Sequence, residues 1–530
     1  MPSLSTFGRS AEDAKTAFLF GLLAVAFGIA MFNHGLVPSM EPRFAEAVRE
    51  MIATGEWLIP TKNGRPYVEY PVFYYWLAII GRELGLPMIA AIRLPTFAAF
   101  FAWLYVLGRW QRHVSPGLPA HAYQLAGAAI PIALFQFSIA QTDGLLVFGV
   151  MLAMYGYTRQ VSAGTTGFPW ALWLGVAIAT LAKGPVGIAC TLPVIFLDRF
   201  AEGVLRSGPS SEQLRVSRFR QVVRVVASPC WFRGLCFVLL ISAPWYVLAG
   251  LQNGWEFVRA VLIYQNFDRY ITGYSHSQPW WYYFKTIIYD FFPLSFLIPL
   301  GVWTAARRIR MQEVRFTLLW AGFTFLFFSI SGSKQGKYLL PMAPAIVALA
   351  FMALEHLRQR TGRDLWRWLK GWCMALVAVF SLLITLVIPF YSSEIDGSEG
   401  FQEIRAQLAK ESGQLISYQW PRSQTLYQLG APMPFVRSAR ELYAGIANGT
   451  YQAGDYVLVR RDMAGSDSHA EHSTRLIPFP NPEVFETVLE TEAGKRMILL
   501  RIVPGADGID PPDTPEPPVL NWRDAMFDTD

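Results

Sequence analysis

Residues able to do acid–base and phosphate chemistry occur in short polar stretches of a chain that is otherwise mostly apolar. Three carboxylic acids lie at the edges of apolar segments: Glu41, Glu69 and Asp143. The residues that could bind an anion or donate a hydrogen bond lie in similar places and are Tyr67, Tyr70, Lys183, Arg269, His276, Lys334, Lys337 and Tyr338. A carboxylate can act as a general base, and Lys or Arg can stabilise a departing phosphate. If the fold brings these residues to one side of a membrane, they suit sugar transfer from a lipid phosphate.

The composition is that of a membrane protein. Of the 530 residues, 53% are hydrophobic, 15% are aromatic and only 16% are charged, and the mean hydropathy is +0.29. Soluble domains carry about 25% charged residues. We therefore predict an α-helical polytopic membrane protein whose abundant aromatic residues lie at the bilayer interfaces.

The apolar segments define the candidate membrane spans, each of which needs about 20 apolar residues to cross a bilayer. Eleven segments approach this length. They are 17–37, 88–108, 121–139, 143–158, 168–182, 185–200, 234–251, 281–306, 314–331, 338–355 and 371–391. Segment 73–86 adds a re-entrant piece or part of a further span, which predicts about 11–13 transmembrane helices. No clean cleavage site follows the first segment, so we predict an uncleaved span.

The distribution of Lys and Arg predicts the orientation. Basic residues concentrate in alternate loops, namely 109–113, 159, 199–233, 307–315 and 358–370. The positive-inside rule places these loops in the cytoplasm. The N-terminus is then cytoplasmic, and the residues after 391 lie on the outer face. The net charge of +6 is explained by this topology, and no nucleic-acid-binding motif accompanies it.

Two domains are predicted. Residues 1–391 form the transmembrane domain, and residues 392–530 form a small soluble α/β domain. Strands are predicted in "GQLISYQW", "DYVLVRRD" and "RMILLRIV", and a capped helix in "SARELYAGIANG". The tail "PGADGIDPPDTPEPPVLNW" is Pro- and Asp-rich, which predicts an extended or disordered segment.

The segment after the first span predicts an amphipathic helix. Phe44, Val48, Met51 and Ile52 follow the spacing of one helical face. Glu41 precedes them, and two interpretations of this acid stay open. It either caps the helix, where the helix dipole favours a negative charge, or it takes part in chemistry.

The same alternatives apply to two other candidates. Asp143 either caps the span that it opens or acts as a carboxylate in a site. Lys183, before Gly-Pro, either extends to the interface or binds an anion. The functional interpretation is favoured because the predicted topology puts all of these residues on the outer face.

No cofactor is required by the sequence. Four cysteines, Cys190, Cys230, Cys236 and Cys373, lie in or beside apolar segments without a CxxC pair or metal-ligand spacing. Two converging acids would allow a divalent cation, although no ligand spacing calls for one.

Four motifs, in order along residues 17–350, resemble those of the bacterial aminoarabinose transferases that modify lipid A. That family is grouped with the protein O-mannosyltransferases among membrane glycosyltransferases of the C-type fold. The motifs are "EPRFAEAVREMIATGEWLIPTKNGRPYVEYPVFYYWL", "LAKGPVG", "YQNFDRY…H…PWWYYF" and "SKQGKYLLP".

The resemblance implies a function and a set of residue roles. A polyprenyl-phosphate sugar, such as one carried by undecaprenyl phosphate, would be the donor. Transfer would occur on the periplasmic face of the bacterial inner membrane, with inversion at the anomeric carbon. Glu41 and Asp143 would form the acidic pair. The donor phosphate site or its entrance would be lined by Tyr67, Glu69, Lys183, Arg269 and Tyr338.

The chain departs from the family pattern at two positions. Met40-Glu41 stands where the family usually has Asp-Glu, so either Glu41 substitutes, or Asp143 carries more of the role, or the activity is altered. Glu69-Tyr70-Pro71 stands where the family often has Glu-Lys-Pro. Lys183, Arg269 or Lys337 would then compensate for the absent lysine.

Three functions compete at this stage. The first is a glycosyltransferase whose acceptor is lipid A, a glycan or a protein. The second is a transporter or flippase of lipid-linked sugars, which should carry ionisable residues or broken helices near the middle of the bilayer. The third is a catalytically altered homologue, which only Met40 supports.

Overall fold

The computed structural model describes most of the chain. The described residues are 18, 20–38, 40–164, 167–206, 229–272, 276–410, 412–430, 432–460, 481, 483–492 and 496–509. Most of the basic loop 199–233 and the Pro-rich tail from residue 510 lie outside them. The chain divides into two compact units. We call Met1–Phe32 with Val68–Thr385 the transmembrane unit, and Asn33–Tyr67 with Leu386–Asp530 the C-terminal unit. The domain boundary predicted after residue 391 stays a prediction.

The transmembrane unit is built from helices throughout its described residues. Among the described residues, its α-helices begin with α1 (Phe20–Ala30), α3 (Phe73–Glu83), α4 (Met88–Val114), α5 (Ala122–Ala128), α6 (Pro131–Ser138), α7 (Thr142–Ala163), α8 (Trp170–Lys183), α9 (Val186–Ala189), α10 (Leu192–Arg206), α11 (Pro229–Asn253) and α12 (Trp255–Arg259). The later α-helices are α13 (Arg269–Thr272), α14 (Tyr282–Asp290), α15 (Ile298–Arg307), α16 (Gln312–Ile330), α17 (Ala343–Thr361) and α18 (Trp366–Leu382). Two π-helical segments, Ala260–Asp268 and Leu383–Val387, and two 3₁₀ segments, Leu294–Leu297 and Gly336–Met342, interrupt them.

Five helices of the described residues are long and apolar enough to cross a membrane. They are Met88–Val114, Pro229–Asn253, Gln312–Ile330, Gly336–Thr361 and Trp366–Phe390. Tyr282–Asp290 and Leu294–Arg307 form a pair that is bent by 118° and would make a sixth span. The protein is therefore a multi-pass membrane protein. Every predicted span contains helix, but several are short or broken, so the number of eleven spans stays a prediction.

Small residues let α7 and α8 pack closely. A Cβ atom added to Gly149 would lie 2.6 Å from the backbone nitrogen of Ala179 on α8. Gly156 on α7 and Gly175 on α8 face the backbone of the opposite helix in the same way. Because helices in membranes associate through such close contacts, these glycines fix the two helices along their length. They also determine where Asp143, at the start of α7, and Lys183, at the end of α8, come to lie.

Replacement of Gly175 by alanine is expected to destabilise the protein by about 1–3 kcal/mol, because the new methyl group overlaps the backbone of Ala153. Gly322 on α16 is the matched control, since a Cβ atom there has no neighbour within 4 Å. Thermal unfolding of both variants in detergent measures the difference. Equal stability of Gly175→Ala and Gly322→Ala would show that the α7–α8 contact is not close packed.

The C-terminal unit contains a five-stranded mixed sheet with the order β4-β3-β5-β7-β6. Its strands are β3 (Leu415–Tyr418), β4 (Phe435–Val436), β5 (Tyr456–Arg460), β6 (Phe485–Glu492) and β7 (Arg496–Ile502). The α-helices of this unit are α2 (Pro42–Thr54), α19 (Ile388–Phe390), α20 (Ser392–Asp396), α21 (Ser398–Leu408), α22 (Ser423–Leu429) and α23 (Ala439–Ala447). The predicted strands and the predicted helix are confirmed, and Ser438 caps that helix by accepting a hydrogen bond from the Glu441 N–H.

Helix α2 confirms the predicted helix but buries more than its apolar face. Phe44, Val48 and Met51 are fully buried, as the spacing predicts. Glu46 and Glu50 are buried as well. Glu50 accepts hydrogen bonds from the N–H groups of residues 63 and 64, in the turn between β1 (Thr61–Lys62) and β2 (Arg65–Pro66). Glu50 therefore connects this hairpin to α2 through two hydrogen bonds.

Candidate functional site

Two lysines share one carboxylate in the transmembrane unit. The Nζ atom of Lys183 is 2.6 Å from Oδ1 of Asp143, and Nζ of Lys337 is 3.5 Å from Oδ2. Asp143 is only 2% exposed. The Lys183 ammonium also lies 5.3 Å from the centre of the Tyr338 ring, in cation–π contact. These residues come from distant parts of the sequence and form one polar cluster, which we call the Asp143 cluster.

Local structure explains how two of the partners meet. Asp143 lies in the first turn of α7, where the helix dipole favours a negative charge. Gln141 is the N-cap, so the interpretation of Asp143 as the capping residue is wrong. Lys183 is the last residue of α8, where the dipole favours a positive charge. Gly184 then has φ +70° and ψ −147°, a conformation open essentially to glycine only, so any other residue there would strain the backbone next to Lys183.

A cavity that is partly open to solvent lies beside the Asp143 cluster. Polar side chains make up much of its wall, and the charged ones are Glu69, Asp143, Lys183, Arg269 and Lys337. Neutral residues complete the lining, namely Tyr70, Pro71, Leu146, Val186, Val261, Gln265, Asn266, Tyr270, Phe328, Ser331, Ser333, Tyr338 and Pro341. Seven predicted site residues therefore line one cavity: Glu69, Tyr70, Asp143, Lys183, Arg269, Lys337 and Tyr338.

The wall that carries Arg269 is irregular. Residues Ala260–Asp268 form a π-helical segment, and the Asn266 side chain donates a hydrogen bond to the carbonyl of Val261. Wide helical turns of this kind are rare and occur frequently at functional sites. The segment brings Gln265, Asn266 and Arg269 to the cavity.

The loop at residues 331–337 is held from two sides. The carbonyl of Tyr270 accepts the N–H of Gly332, and the Tyr270 hydroxyl donates to the carbonyl of Phe327. The Tyr283 hydroxyl, on α14, donates to the carbonyl of Gln335. These bonds fix the backbone that presents Lys337 to the cavity.

Lys334 and His276, two predicted site residues, are absent from the described lining of the cavity. The Lys334 ammonium donates to the carbonyls of Gln278, at 3.0 Å, and Ser331. Burial lowers the pKa of this ammonium. The carbonyl of His276, which has a positive φ of 57°, accepts the Lys334 N–H. These contacts join two loops, and a phosphate-binding role for either residue stays a prediction.

Glu41 and Tyr67 belong to the C-terminal unit. Glu41 is fully buried, and its Oε2 atom accepts the N–H of Val37 at 2.9 Å. Glu41 is the N-cap residue of α2, as one of the two interpretations predicts, although its side chain makes no capping hydrogen bond to the described part of the helix. The Tyr67 ring lies 5.6 Å from the Lys62 ammonium. The catalytic role of Glu41 stays a prediction.

One residue of the cluster was missed by the sequence reasoning. Gln141 is 1% exposed, and its Oε1 atom accepts a hydrogen bond from Lys337 Nζ at 3.1 Å. It lies two residues before Asp143 in "AQTDG". A neutral amide beside a span gives no signal in charge or hydropathy, so only the pairing with Lys337 identifies it.

Within the part of the chain that the structure describes, no group of three or more His, Cys, Asp or Glu side chains is placed to hold a metal ion. The charged side chains that line the cavity are two lysines, one arginine and two carboxylates. Two ammonium groups and a guanidinium in one partly buried cavity can bind an oxyanion through charge-assisted hydrogen bonds.

The fold is that of the C-type glycosyltransferases, which confirms the predicted fold class. The structure is similar to the crystal structure of ArnT from Cupriavidus metallidurans bound to undecaprenyl phosphate, with a TM-score of 0.66 and 21% identity. The similarity covers 94% of this chain and 99% of that one. The apo structure of the same ArnT gives a TM-score of 0.67 at 19% identity, covering 95% and 100% of the two chains.

Among named proteins, the chain is similar to arabinosyl transferases. It is 26% identical over 371 residues to the undecaprenyl phosphate-alpha-4-amino-4-deoxy-L-arabinose arabinosyl transferase of Shewanella sediminis, covering 67% of this chain and 62% of the relative. An enzyme of the same name from Pseudomonas savastanoi pv. phaseolicola is 26% identical over 394 residues, covering 71% and 69%. The alignment to the first of these spans about three-fifths of the relative's length. No protein-family model matches the chain.

Proposed function

We propose that this protein is a membrane glycosyltransferase that takes a sugar from a polyprenyl-phosphate donor, most simply undecaprenyl phosphate. The Asp143 cluster carries the proposal, because it places two ammonium groups beside Arg269 in one cavity. The names of the relatives and the undecaprenyl phosphate in a structure of the same fold support this donor. The acceptor is lipid A, a glycan or a protein.

The residues have separate roles in the proposed reaction. A hydroxyl of the acceptor gives its proton to a carboxylate and attacks the anomeric carbon of the sugar. The bond from that carbon to the phosphate oxygen breaks, with inversion, and the lipid phosphate departs with the electron pair. Lys183, Lys337 and Arg269 stabilise the charge on the departing phosphate.

The carboxylate that accepts the proton is Glu41 or Asp143. Both oxygens of Asp143 are within ion-pair distance of lysines, and these positive charges stabilise the ionised carboxylate, which makes it a weaker base. Asp143 therefore suits the organisation of the two lysines better than proton transfer. Glu41 is our preferred base, and it would take the part of the Asp that the family usually has at position 40.

Purified protein in lipid vesicles tests this function directly. A radiolabelled undecaprenyl-phosphate sugar is supplied together with lipid A, and labelled acceptor is expected to form. The same assay with the donor on one side only, measuring its passage across the bilayer, tests the transporter alternative. Passage of intact donor without any labelled acceptor would replace the enzyme by a transporter.

We further propose that the N-terminus is cytoplasmic and that the cavity and the C-terminal unit face the periplasm. A phosphatase reporter, active only in the periplasm, is expected to be active when fused after Gly332 and inactive after Arg360, because Lys and Arg favour the cytoplasmic side. Further fusions after Arg220 and Gly465 lie outside the described residues. Activity after Arg360 with none after Gly332 would invert the orientation.

A further inference from the structure

The position of the Lys337 ammonium depends on an uncharged neighbour. Lys337 Nζ lies 3.1 Å from Oε1 of Gln141 and 3.5 Å from Oδ2 of Asp143. Its side chain is 11% exposed and lines the cavity. Gln141, by contrast, is almost completely buried at the N-terminus of α7. The amide therefore holds the ammonium group from inside the protein.

The amide orientation is fixed by this contact. An ammonium group only donates hydrogen bonds, so the oxygen of the Gln141 amide must face Lys337. The Nε2 atom then points elsewhere, and it is buried with no hydrogen-bond partner among the described residues. A buried donor without a partner costs free energy, whereas an apolar side chain of similar size avoids that cost. Stability alone therefore does not explain a glutamine here.

The net charge of the Asp143 cluster explains why position 141 has a neutral amide and not a carboxylate. Lys183 and Lys337 contribute +2 and Asp143 contributes −1, which leaves +1 beside the cavity. A carboxylate at position 141 would also hold Lys337, but it would bring the sum to 0. The amide fixes the ammonium group without cancelling its charge.

We propose that Gln141 is a positioning residue that holds the Lys337 ammonium for the phosphate of the lipid donor. It acts through Lys337 and does not itself need to touch the phosphate. This inference rests on the proposed function for the identity of the anion, but the Gln141–Lys337 contact can be tested without it.

A double-mutant cycle tests the role in binding. Gln141→Leu is expected to weaken undecaprenyl phosphate binding to purified protein by about 10-fold, the order expected for loss of one hydrogen bond to a charged group. In the Lys337→Met background the same change should have no effect, because the residue on which Gln141 acts is absent. An equal loss in both backgrounds would overturn the inference.

Two further variants separate positioning from folding. Gln141→Glu keeps an acceptor for Lys337 and is expected to weaken binding by about 10-fold or more, because the cluster loses its net charge. Gln111→Leu is the matched control, since the side chain of this buried glutamine bonds to the Pro119 carbonyl and the Tyr123 N–H, outside the cavity lining in the described structure. It is expected to lower thermal stability and leave the affinity unchanged. Unchanged affinity in Gln141→Glu would contradict the charge argument.

The reactivity of Lys337 gives a readout that needs no donor. Reductive methylation of the ligand-free protein, followed by mass spectrometry, measures how readily each lysine reacts. Gln141→Leu should raise the reaction rate of Lys337, and Gln111→Leu should not. If the wild type binds no undecaprenyl phosphate, the proposed function fails and this measurement still decides the inference. An unchanged rate at Lys337 would overturn it.

Discussion

Replacement of Asp143 by asparagine is expected to lower sugar transfer by about 10²-fold or more, as the loss of an essential electrostatic partner does. The asparagine would keep the size of the side chain but lose the charge that two lysines share. The ammonium groups would then repel each other without a counterion between them. Their positions, and with them the stabilisation of the departing phosphate, would be lost.

Two measurements on one sample separate the possible roles of Asp143. Transfer is measured with radiolabelled donor in vesicles, and binding is measured with undecaprenyl phosphate. If Asp143 organises the two lysines, binding should weaken together with transfer, because the displaced ammonium groups no longer meet the phosphate. If Asp143 acts only as the base, binding should be retained while transfer falls. Near-normal transfer by Asp143→Asn would remove this residue from the mechanism.

Glu41→Gln is the companion variant, with an expected loss of the same order, about 10²-fold. The glutamine oxygen can still accept the hydrogen bond that Oε2 of Glu41 accepts from the Val37 N–H. The local structure should therefore survive, and the loss would report the missing charge. Normal transfer by this variant would leave the acceptor's proton without the base that we prefer.

Part of this structure could be predicted from sequence because the relevant signals are local. The apolar spacing of Phe44, Val48 and Met51 predicts the buried face of α2. The burial of Glu50 is not predictable in that way, because its partners are backbone N–H groups of a hairpin 13 and 14 residues further along the chain. A carboxylate is assigned to the surface unless the partner that compensates its burial is known.

At the site, too, the sequence predicts which residues are unusual but not which of them are in contact. The sequence identifies Asp143, Lys183 and Lys337 as unusual polar residues at span ends. It does not show that the two lysines share one carboxylate. The glycine contacts between α7 and α8 place Lys183 beside Asp143, and hydrogen bonds to residues 332 and 335 place Lys337. Lys334 illustrates the converse, since its sequence position resembles that of Lys337 but its ammonium donates to backbone carbonyls.

The bent and interrupted helices of the transmembrane unit also bear on the transporter alternative. Broken helices near the middle of the bilayer are a feature of transporters. Here the π-helical segment at Ala260–Asp268 and the bend after Asp290 occur next to loops that line or support the cavity. Irregular backbone in a membrane protein is tolerated where it lines a cavity. An enzyme that binds a lipid phosphate needs such a cavity as much as a transporter does.

Removal of a basic residue from the cavity is expected to weaken donor binding strongly. In the proposed function, Lys183→Ala and Arg269→Ala would each remove one charge-assisted contact to the donor phosphate. The expected cost is about 1.5–3 kcal/mol, or roughly 10- to 150-fold in affinity for undecaprenyl phosphate. Lys285→Ala is the control, because this lysine is exposed on α14 and is absent from the described lining.

Arg269→Lys separates charge from geometry. Lysine keeps the positive charge but lacks the planar fork with which arginine binds a phosphate in a bidentate manner. We expect an affinity between those of the wild type and Arg269→Ala. An affinity equal to that of Arg269→Ala would mean that geometry, not charge, dominates at this position.

Tyr70→Lys is the variant that adds an interaction. Tyr70 lines the cavity. The aminoarabinose transferases that this sequence resembles often have lysine at the corresponding position. Lys183, Lys337 and Arg269 line the same cavity. A lysine at position 70 should tighten the binding of undecaprenyl phosphate. If the release of this product then limits the rate, turnover should fall. Unchanged affinity in Lys183→Ala, Arg269→Ala and Tyr70→Lys, with folding intact, would mean that the phosphate binds elsewhere in the protein.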